Sequence, residues 1–399
     1  MKSHQPVRES VFFILVAGVM GIVIGAIDTL FGQVLLSLSD VRNQHFLLLI
    51  PFLALIGMSI QYLYQHWGKD SQKGMSLVFE AASEERKKIP LRLIPLVMLS
   101  TWATHLFGGS AGREGVAVQI GATLADQVFH TLRLKKGRHI LIVSGIAAGF
   151  SGLFQIPLAA SFFALEVLQV GRLSLKGLLP VLTASYLASF TSYELGLEKF
   201  SHLIALNWKI DFEQFCLLAL AGMLFGLIGN LFAYLLKKGK KVLSYYFTNP
   251  FVKIFVVGIV LSISLTVLFQ GRYSGLGTNL IEASLDGQDI LPVDWLLKLL
   301  LTVLTLAAGF QGGEVTPLFA IGASAGALLG PLLGIPFPLA IALGYISVFG
   351  SATNTLIAPI FIGVEVFGAN NVATYVIAAF FAFAISQKHT IYPLQKLSH

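Results

Sequence analysis

Two glutamates stand in glycine-rich segments of a chain that otherwise carries few charges. Residues 108–122 read GGSAGREGVAVQIGA and contain Glu114, and residues 312–317 read GGEVTP and contain Glu314. A glycine run before a helix lets backbone N–H groups point into a cavity, because no Cβ stands in the way. A helix N-terminus also carries roughly half a positive charge and can hold an anion. Each segment therefore predicts the start of a helix that binds an anion, with a carboxylate beside it.

Glu114 is a candidate to exchange with the anion that such a helix start binds. A charged Glu114 can occupy the place of the anion and a protonated one can leave it, which would couple proton movement to anion movement. A salt bridge to Arg113 is the structural alternative. Glu314 is expected to transfer protons, or else to form a structural hydrogen bond, because a buried charged carboxylate needs a partner. Glu166 and Glu365 end apolar runs, and structural roles are favoured for both.

The elements that position these residues are predicted to be membrane-spanning helices. The chain has 399 residues, of which 55% are hydrophobic and 12% are charged, whereas about 25% of residues in a typical soluble domain are charged. Three apolar stretches are near or above the ~20 residues that span a bilayer as a helix. They are 11–36, 46–64 and 212–236. The chain is therefore predicted to be an all-α polytopic membrane protein.

The net charge of +7 comes from basic residues in short gaps between apolar runs, so nucleic acid is not expected as a partner. The positive-inside rule assigns the N-terminal segment, with Lys2 and Arg8, and the connection 65–92 to the cytoplasm. No HExxH motif, Cys/His pair or phosphate loop supports an enzyme. The single cysteine, Cys216, excludes a multi-thiolate metal site and is expected to pack inside the protein.

Three pairs of short phrases recur in the same order along the chain. They lie 203, 201 and 199 positions apart: GMSLV at 74–78 and GTNLI at 277–281, VQIGA at 118–122 and FAIGA at 319–323, and ALEV at 164–167 and GVEV at 363–366. We interpret 1–399 as one membrane transport domain with two homologous halves, 1–205 and 206–399, and no soluble regulatory domain. The phrases themselves leave open whether the repeat is parallel or inverted.

Several apolar runs are shorter than a full membrane span, namely 93–107, 116–130 and 315–330. Short, Gly- or Pro-interrupted segments at matching places in two halves are typical of discontinuous helices that meet near the membrane midplane. We therefore expect the starts of two such helices, at 112–115 and at 312–317, to face each other.

These motifs resemble those of the CLC family of anion channels and proton-coupled antiporters. GREG at 112–115 resembles the family's GREGP motif, which implies that Glu114 is the gating glutamate. GEVTP at 313–317 resembles the GxFxP motif, and Tyr392 resembles the tyrosine whose hydroxyl contacts the central anion. The resemblance implies an inverted repeat of broken and tilted helices, with one pathway per subunit of a homodimer. The anion-binding residues that it implies are Met75, Gly112, Arg113, Gly115, Gly313, Val315, Thr316 and Tyr392.

The departures from the chloride-type motifs favour one branch of the family. Met75 stands where chloride-type members have the serine of a GSGIP-like motif, and Val167 stands where many chloride/proton exchangers have a proton-transferring glutamate. Methionine at this place, GGEVTP and a tyrosine near the C-terminus are together similar to the fluoride/proton antiporter branch. Ser76 and Val116 differ from the asparagine and threonine expected in that branch.

Proton-coupled export of fluoride from the cytoplasm is therefore the expected function, and a chloride/proton antiporter or anion channel of the same family is the alternative. Fluoride is costly to dehydrate, so its site must supply several donors at short range. Backbone N–H groups and the hydroxyls of Thr316 and Tyr392 can supply them. Met75 has no strong donor, which disfavours chloride.

The expected partners are fluoride, protons, the lipid bilayer of a bacterial inner membrane and a second copy of the chain. No cofactor is expected apart from a structural Na⁺. The segment 275–280 is expected to be unwound and to expose carbonyl groups, and Gly277, Asn279 and Thr316 are the candidate ligands for that cation.

Overall fold

The computed structural model describes residues 5–83, 85, 88–206, 208–386 and 389–396. Lys2 and the side chain of Arg8 lie outside the described residues. Within them every regular element is helical, and the β pairings are two isolated bridges. The α-helices, α1 to α17 in chain order, are Gln5–Gln44, Phe46–Leu49, Leu53–Leu63, Met75–Ala82, Leu93–Leu106, Glu114–Thr131, Arg138–Phe154, Pro157–Glu166, Leu178–Glu194, Phe212–Tyr246, Pro250–Val267, Thr278–Leu285, Asp294–Ala308, Val315–Leu333, Phe337–Thr353, Ile357–Phe367 and Val372–Ser386.

Six helical segments of the described chain are long and apolar enough to cross a bilayer. They are Glu9–Gln44, Phe46–Lys73, Phe212–Tyr246, Pro250–Val267, Val315–Leu333 and Ala369–Ser386. The expectation that the run 315–330 is too short for a span was wrong, because α14 continues it to 19 residues. Helix α5 does stay short, with 14 residues.

The connection 65–92 contains the short helix α4. The expectation that 275–280 is unwound was wrong for 278–280, because α12 begins at Thr278. Helix α4 begins after Gly74, with φ of 51°, and α12 begins after Gly277, with φ of 88°. Glycine suits both places because a positive φ strains other residues. Six helices, α4–α9, follow the first of these glycines, and six, α12–α17, follow the second. The division into halves 1–205 and 206–399 stays a prediction.

Glycines allow close helix packing at matching places in the two series. Gly121 and Gly145 meet where α6 crosses α7, and Gly322 and Gly344 meet where α14 crosses α15. A Cβ atom on any of the four would overlap the carbonyl oxygen of its partner. Small residues at helix contacts are typical of membrane proteins, where they let backbones approach closely. These contacts fix the positions of α6 and α14.

Helices α8 and α16 cap each other. Glu166, the last residue of α8, accepts hydrogen bonds from the backbone N–H groups of 356–358 at the start of α16. Glu365, near the end of α16, accepts them from Leu158 and Ala159 at the start of α8, at 3.1 and 2.7 Å. Each carboxylate thus satisfies N–H groups that a helix start leaves without partners. Both contacts favour the structural roles predicted for these glutamates.

Cys216 does not pack inside the protein as expected, because its side chain is exposed on α10. Helix α10 is long and apolar enough to cross a bilayer, so apolar neighbours along the sequence do not by themselves place a side chain in the protein core.

Candidate functional site

The two glycine-rich segments lie side by side at the starts of α6 and α14. Gly112 and Gly313 form an antiparallel bridge, in which the N–H of Gly112 donates to the carbonyl of Gly313 at 2.6 Å and the reverse bond measures 2.7 Å. A Cβ on Gly112 would stand 2.9 Å from a carboxylate oxygen of Glu114, and one on Gly313 would stand 2.8 Å from the backbone nitrogen of Gly115. Glycine is needed at both places because the segments approach so closely.

Glu114 occupies the backbone donors at this junction. Its Oε2 accepts from the N–H of Thr316 at 3.0 Å and from the N–H of Arg113 at 3.1 Å. The hydroxyl of Thr316 donates to Oε1 of the same carboxylate. The side chain is fully buried. A carboxylate thus takes two amide donors and one hydroxyl donor where the sequence predicts an anion.

Arg113 lies beside this carboxylate without a close ion pair. Its Nε is 3.9 Å from Oε1 of Glu114, and its side chain is almost fully buried. Among the described residues its Nε and Nη1 have no hydrogen-bond partner. The structural alternative for Glu114, a salt bridge to Arg113, therefore accounts for less of its environment than the bonds to the helix starts do.

Glu314 is at the N-cap of α14 and lines a cavity of about 370 Å³. The cavity is also lined by Met75 and Ser76 at the start of α4. The structure therefore brings Glu314, the predicted proton carrier, together with Met75, a predicted anion-binding residue. Two basic residues, Lys240 of α10 and Lys253 of α11, line the same cavity. Neither lysine was predicted to belong to the site. Lys240 stands in the basic run 237–241, which also fits the positive-inside rule, and Lys253 is a single charge within the apolar sequence of α11.

Tyr392 and Gly115 connect the two carboxylates. The buried phenol of Tyr392 interacts electrostatically with both Glu314 and Glu114, and its ring packs 5.4 Å from that of Phe79 between centroids. A Cβ on Gly115 would stand 3.4 Å from Oε2 of Glu314. Position 115 therefore lies between the gate candidate and the cavity.

The candidate cation ligands have other partners. The side-chain amide of Asn279 donates to the carbonyl of Arg272 at 2.9 Å, and the hydroxyl of Thr316 donates to Glu114. Gly277 packs on Lys298, since a Cβ there would stand 2.7 Å from the lysine Cε. The sodium site stays a prediction, and these contacts do not support it.

Two further buried positions lie outside the contacts of Glu114 and Glu314. His105 is fully buried, and its Nδ1 and Nε2 lie 2.8 and 2.9 Å from the carbonyl oxygens of Thr101 and Ala111. It is therefore a packed histidine, and a neutral imidazole donates to one of these two carbonyls. Val167 is also buried, and its carbonyl accepts from Gln395. No carboxylate stands at that position to carry a proton.

Comparison with known proteins identifies the family. Residues 53–387 match the family described as voltage gated chloride channel. The chain belongs to this family. It is 34% identical over 398 residues to the chloride/fluoride channel protein of Pseudomonas syringae pv. tomato. That alignment covers 97% of this CLC chain and 87% of the relative.

Solved structures of CLC proteins confirm the fold. A CLC-type fluoride/proton antiporter superposes with a TM-score of 0.96 at 54% sequence identity, over 97% of this CLC chain and 98% of that one. A slow cyanobacterial Cl⁻/H⁺ antiporter gives a TM-score of 0.81 at 17% identity, over 95% and 96% of the two chains. The second likeness shows the fold alone. The predicted all-α fold of broken and tilted helices is confirmed.

Proposed function

We propose that this protein is a proton-coupled antiporter that exports fluoride. The observation that carries the proposal is the carboxylate of Glu114, which holds the N–H groups and the hydroxyl that an anion needs at the start of α14. The 54% identity to a CLC-type fluoride/proton antiporter supports fluoride as the anion.

Protonation of Glu114 is the step that links the two ions. A charged carboxylate competes with fluoride for the N–H and hydroxyl of Thr316. The carboxylate and the fluoride ion are both hydrogen-bond acceptors, and these groups are the donors for either one. A protonated Glu114 has lost its charge and binds these donors less strongly, since charge-assisted hydrogen bonds are the stronger ones. Fluoride then takes the donors while Glu114 carries the proton.

The surrounding residues suit a small anion. Helix starts and a hydroxyl from Thr316 replace part of the lost hydration, and Tyr392 adds a second hydroxyl. Met75 contributes no strong donor beside the cavity. Lys240 and Lys253 attract anions toward the cavity, because charges of one sign along a cleft raise the local concentration of the opposite ion.

Glu314 takes the role of the second proton carrier. It lies between the cavity and the position of Gly115, next to Glu114. Val167 offers no carboxylate at the place where many chloride/proton exchangers have one. A proton that enters the cavity therefore meets Glu314 first.

We further propose that the protein is a homodimer in a bacterial inner membrane, with a cytoplasmic N-terminus. Lys240 and Lys253 line one cavity. Three more lysines are sequence neighbours of Lys240, namely Lys237, Lys238 and Lys241. The positive-inside rule places such a cluster in the cytoplasm. The cavity beside Glu314 then opens to the cytoplasm, the side from which fluoride leaves.

A chloride/proton antiporter or anion channel is the second candidate. The similarity to the Pseudomonas syringae relative, which is described as a chloride/fluoride channel protein, favours it. Ion efflux from proteoliposomes separates the candidates. We expect fluoride to leave much faster than chloride, and an imposed pH gradient to drive fluoride uphill. Equal chloride efflux would favour the second candidate, and fluoride efflux without proton movement would indicate a channel.

A further inference from the structure

Lys298 is a buried cation that the proposed transport cycle does not use. It lies on α13 with its side chain fully buried. Its Nζ is 2.7 Å from the carbonyl of Gly275, 3.1 Å from the carbonyl of Tyr273 and 3.0 Å from the hydroxyl of Ser110. Three acceptors around one nitrogen match the three N–H groups of an ammonium.

No carboxylate balances this charge. In the described part of the chain Lys298 forms no ion pair, and its nearby charged neighbour is another cation, Arg42, with which it interacts electrostatically. The Arg42 guanidinium is also nearly buried and lies against Gly275, on which a Cβ would overlap it. An ammonium held only by neutral oxygens in a buried place is costly. Such a charge is typical of a functional position.

The oxygens around Lys298 come from two segments, and one of them, with Ser110, leads into the anion site at the start of α6. Ser110 stands four residues before Glu114, and its hydroxyl also contacts Thr302 of α13 at 2.9 Å. Gly275 accepts from the N–H of Ala111 at 3.2 Å and donates to the carbonyl of Gly109 at 3.0 Å. The ammonium therefore joins the segment before α6 to the segment before α12, one from each series of helices.

We propose that Lys298 is a positioning residue whose ammonium serves as a built-in structural cation for the anion site. It takes the place that a bound metal cation would have at the carbonyls of Tyr273 and Gly275. There it holds Ser110 so that the Gly112 segment presents its N–H groups. The inference rests on the proposed function only for its effect on fluoride.

A shortened side chain tests this directly. Lys298→Ala leaves space and three oxygens that a small monovalent cation can occupy, whereas Lys298→Met fills the space of the lysine stem and leaves no charge. Lys241→Ala, at an exposed lysine of α10, is the matched control for the loss of one positive charge. Thermal unfolding of each purified protein is measured in NaCl, KCl and N-methyl-D-glucamine chloride at equal ionic strength.

We expect Na⁺ or K⁺ to raise the unfolding temperature of Lys298→Ala in a saturable way. The wild type, Lys298→Met and Lys241→Ala should not respond, because none of them has a vacant place at these carbonyls. This readout needs no transport, so it stands even if the anion is chloride.

Flux measurements give the second readout. In N-methyl-D-glucamine, both Lys298 variants should show a roughly tenfold higher apparent KM for the transported anion, because Ser110 and the Gly112 segment after it lose their support. Na⁺ should restore the KM of Lys298→Ala but not of Lys298→Met, and the maximal rate should change less than the KM. A purely structural role would lower the amount of active protein and leave KM unchanged.

Two results would overturn the proposal. The first is a Lys298→Ala protein that has a wild-type KM and whose unfolding temperature does not respond to monovalent cations. The second, which applies if Lys298→Ala cannot be purified, is a Lys298→Met protein with a wild-type KM.

Discussion

At the residue scale, the contacts of Glu114 are the basis of its proposed role in coupling. A glutamine at this position keeps the carbonyl that accepts from Thr316 but cannot carry the proton. We expect Glu114→Gln to abolish fluoride accumulation driven by a pH gradient while the protein stays folded. The measurement is uptake in proteoliposomes with a fluoride electrode, and Glu198→Gln, at an exposed glutamate, is the control. Wild-type coupled uptake by the mutant would remove Glu114 from the mechanism.

Glu314 gives a second residue-scale prediction. Glu314→Gln keeps a hydrogen-bond donor at the cavity but fixes the number of protons there. We therefore expect coupled transport to stop while fluoride still binds, because the N–H groups around Thr316 are untouched. Titration calorimetry with fluoride and proteoliposome flux measure the two effects separately. A mutant with normal coupled flux would show that Glu314 is structural.

Met75 is the residue proposed to affect selectivity rather than coupling. Met75→Ser supplies a hydroxyl at the cavity where chloride-type members have one, so chloride transport should improve relative to fluoride. One neutral hydrogen bond is worth about 0.5–1.5 kcal/mol, which is roughly a factor of 2–13 in relative rate. The ratio of chloride to fluoride efflux measures it, with Met75→Leu as a control that adds no donor. An unchanged ratio would mean that position 75 does not touch the moving anion.

At the element scale, the reciprocal caps of α8 and α16 predict a stability effect without a transport effect. Glu166→Ala leaves the N–H groups of 356–358 unsatisfied, and Glu365→Ala does the same to Leu158 and Ala159. Each change should destabilise the protein by about 1–3 kcal/mol, the cost of an unsatisfied buried group. Unfolding temperatures in detergent measure the loss, and Glu198→Ala is the exposed control. A proton route through Glu166 would instead show as lost coupling at unchanged stability.

The helix starts could be predicted from the sequence because their causes are local. Glycines before Glu114 and Val315, and Pro317 within the first turn of α14, indicate where each helix begins. The family motifs then predicted the fold. The caps by Glu166 and Glu365 could not be predicted in this way, because they join residues about 200 positions apart. Periodicity and capping rules read only neighbours along the chain.

The lysine contacts show the same limit in the candidate site. Lys240 and Lys253 come from different helices and meet Glu314 only in the folded protein. Lys298 stands in an apolar run, and its three oxygen partners come from two distant segments. The sodium site expected at 275–280 stays a prediction, and the carbonyl of Gly275 accepts a hydrogen bond from the Lys298 ammonium.

At the scale of the whole molecule, the two series of helices depend on each other. The bridge between Gly112 and Gly313, the bonds of Glu114 to Thr316 and the two caps all connect them. We expect fragments separated within the connection between α9 and α10 to be unstable alone and to recover coupled fluoride transport when co-expressed. Flux in membranes that contain one or both fragments measures this. Activity of a single fragment would contradict the mutual dependence.

The caps also set an order of events during synthesis. Ala159 and its partner Glu365 are 206 residues apart, and a ribosome that adds about 5–20 residues per second needs about 10–40 s to cover that distance. During this interval the start of α8 lacks its carboxylate, although the first series of helices has already emerged. Early insertion of that series must therefore leave α8 loosely held, or expose its N–H groups to water or to the insertion machinery. When the second series is complete, Glu365 caps α8 and Glu166 caps α16, so both helix starts gain their partners together.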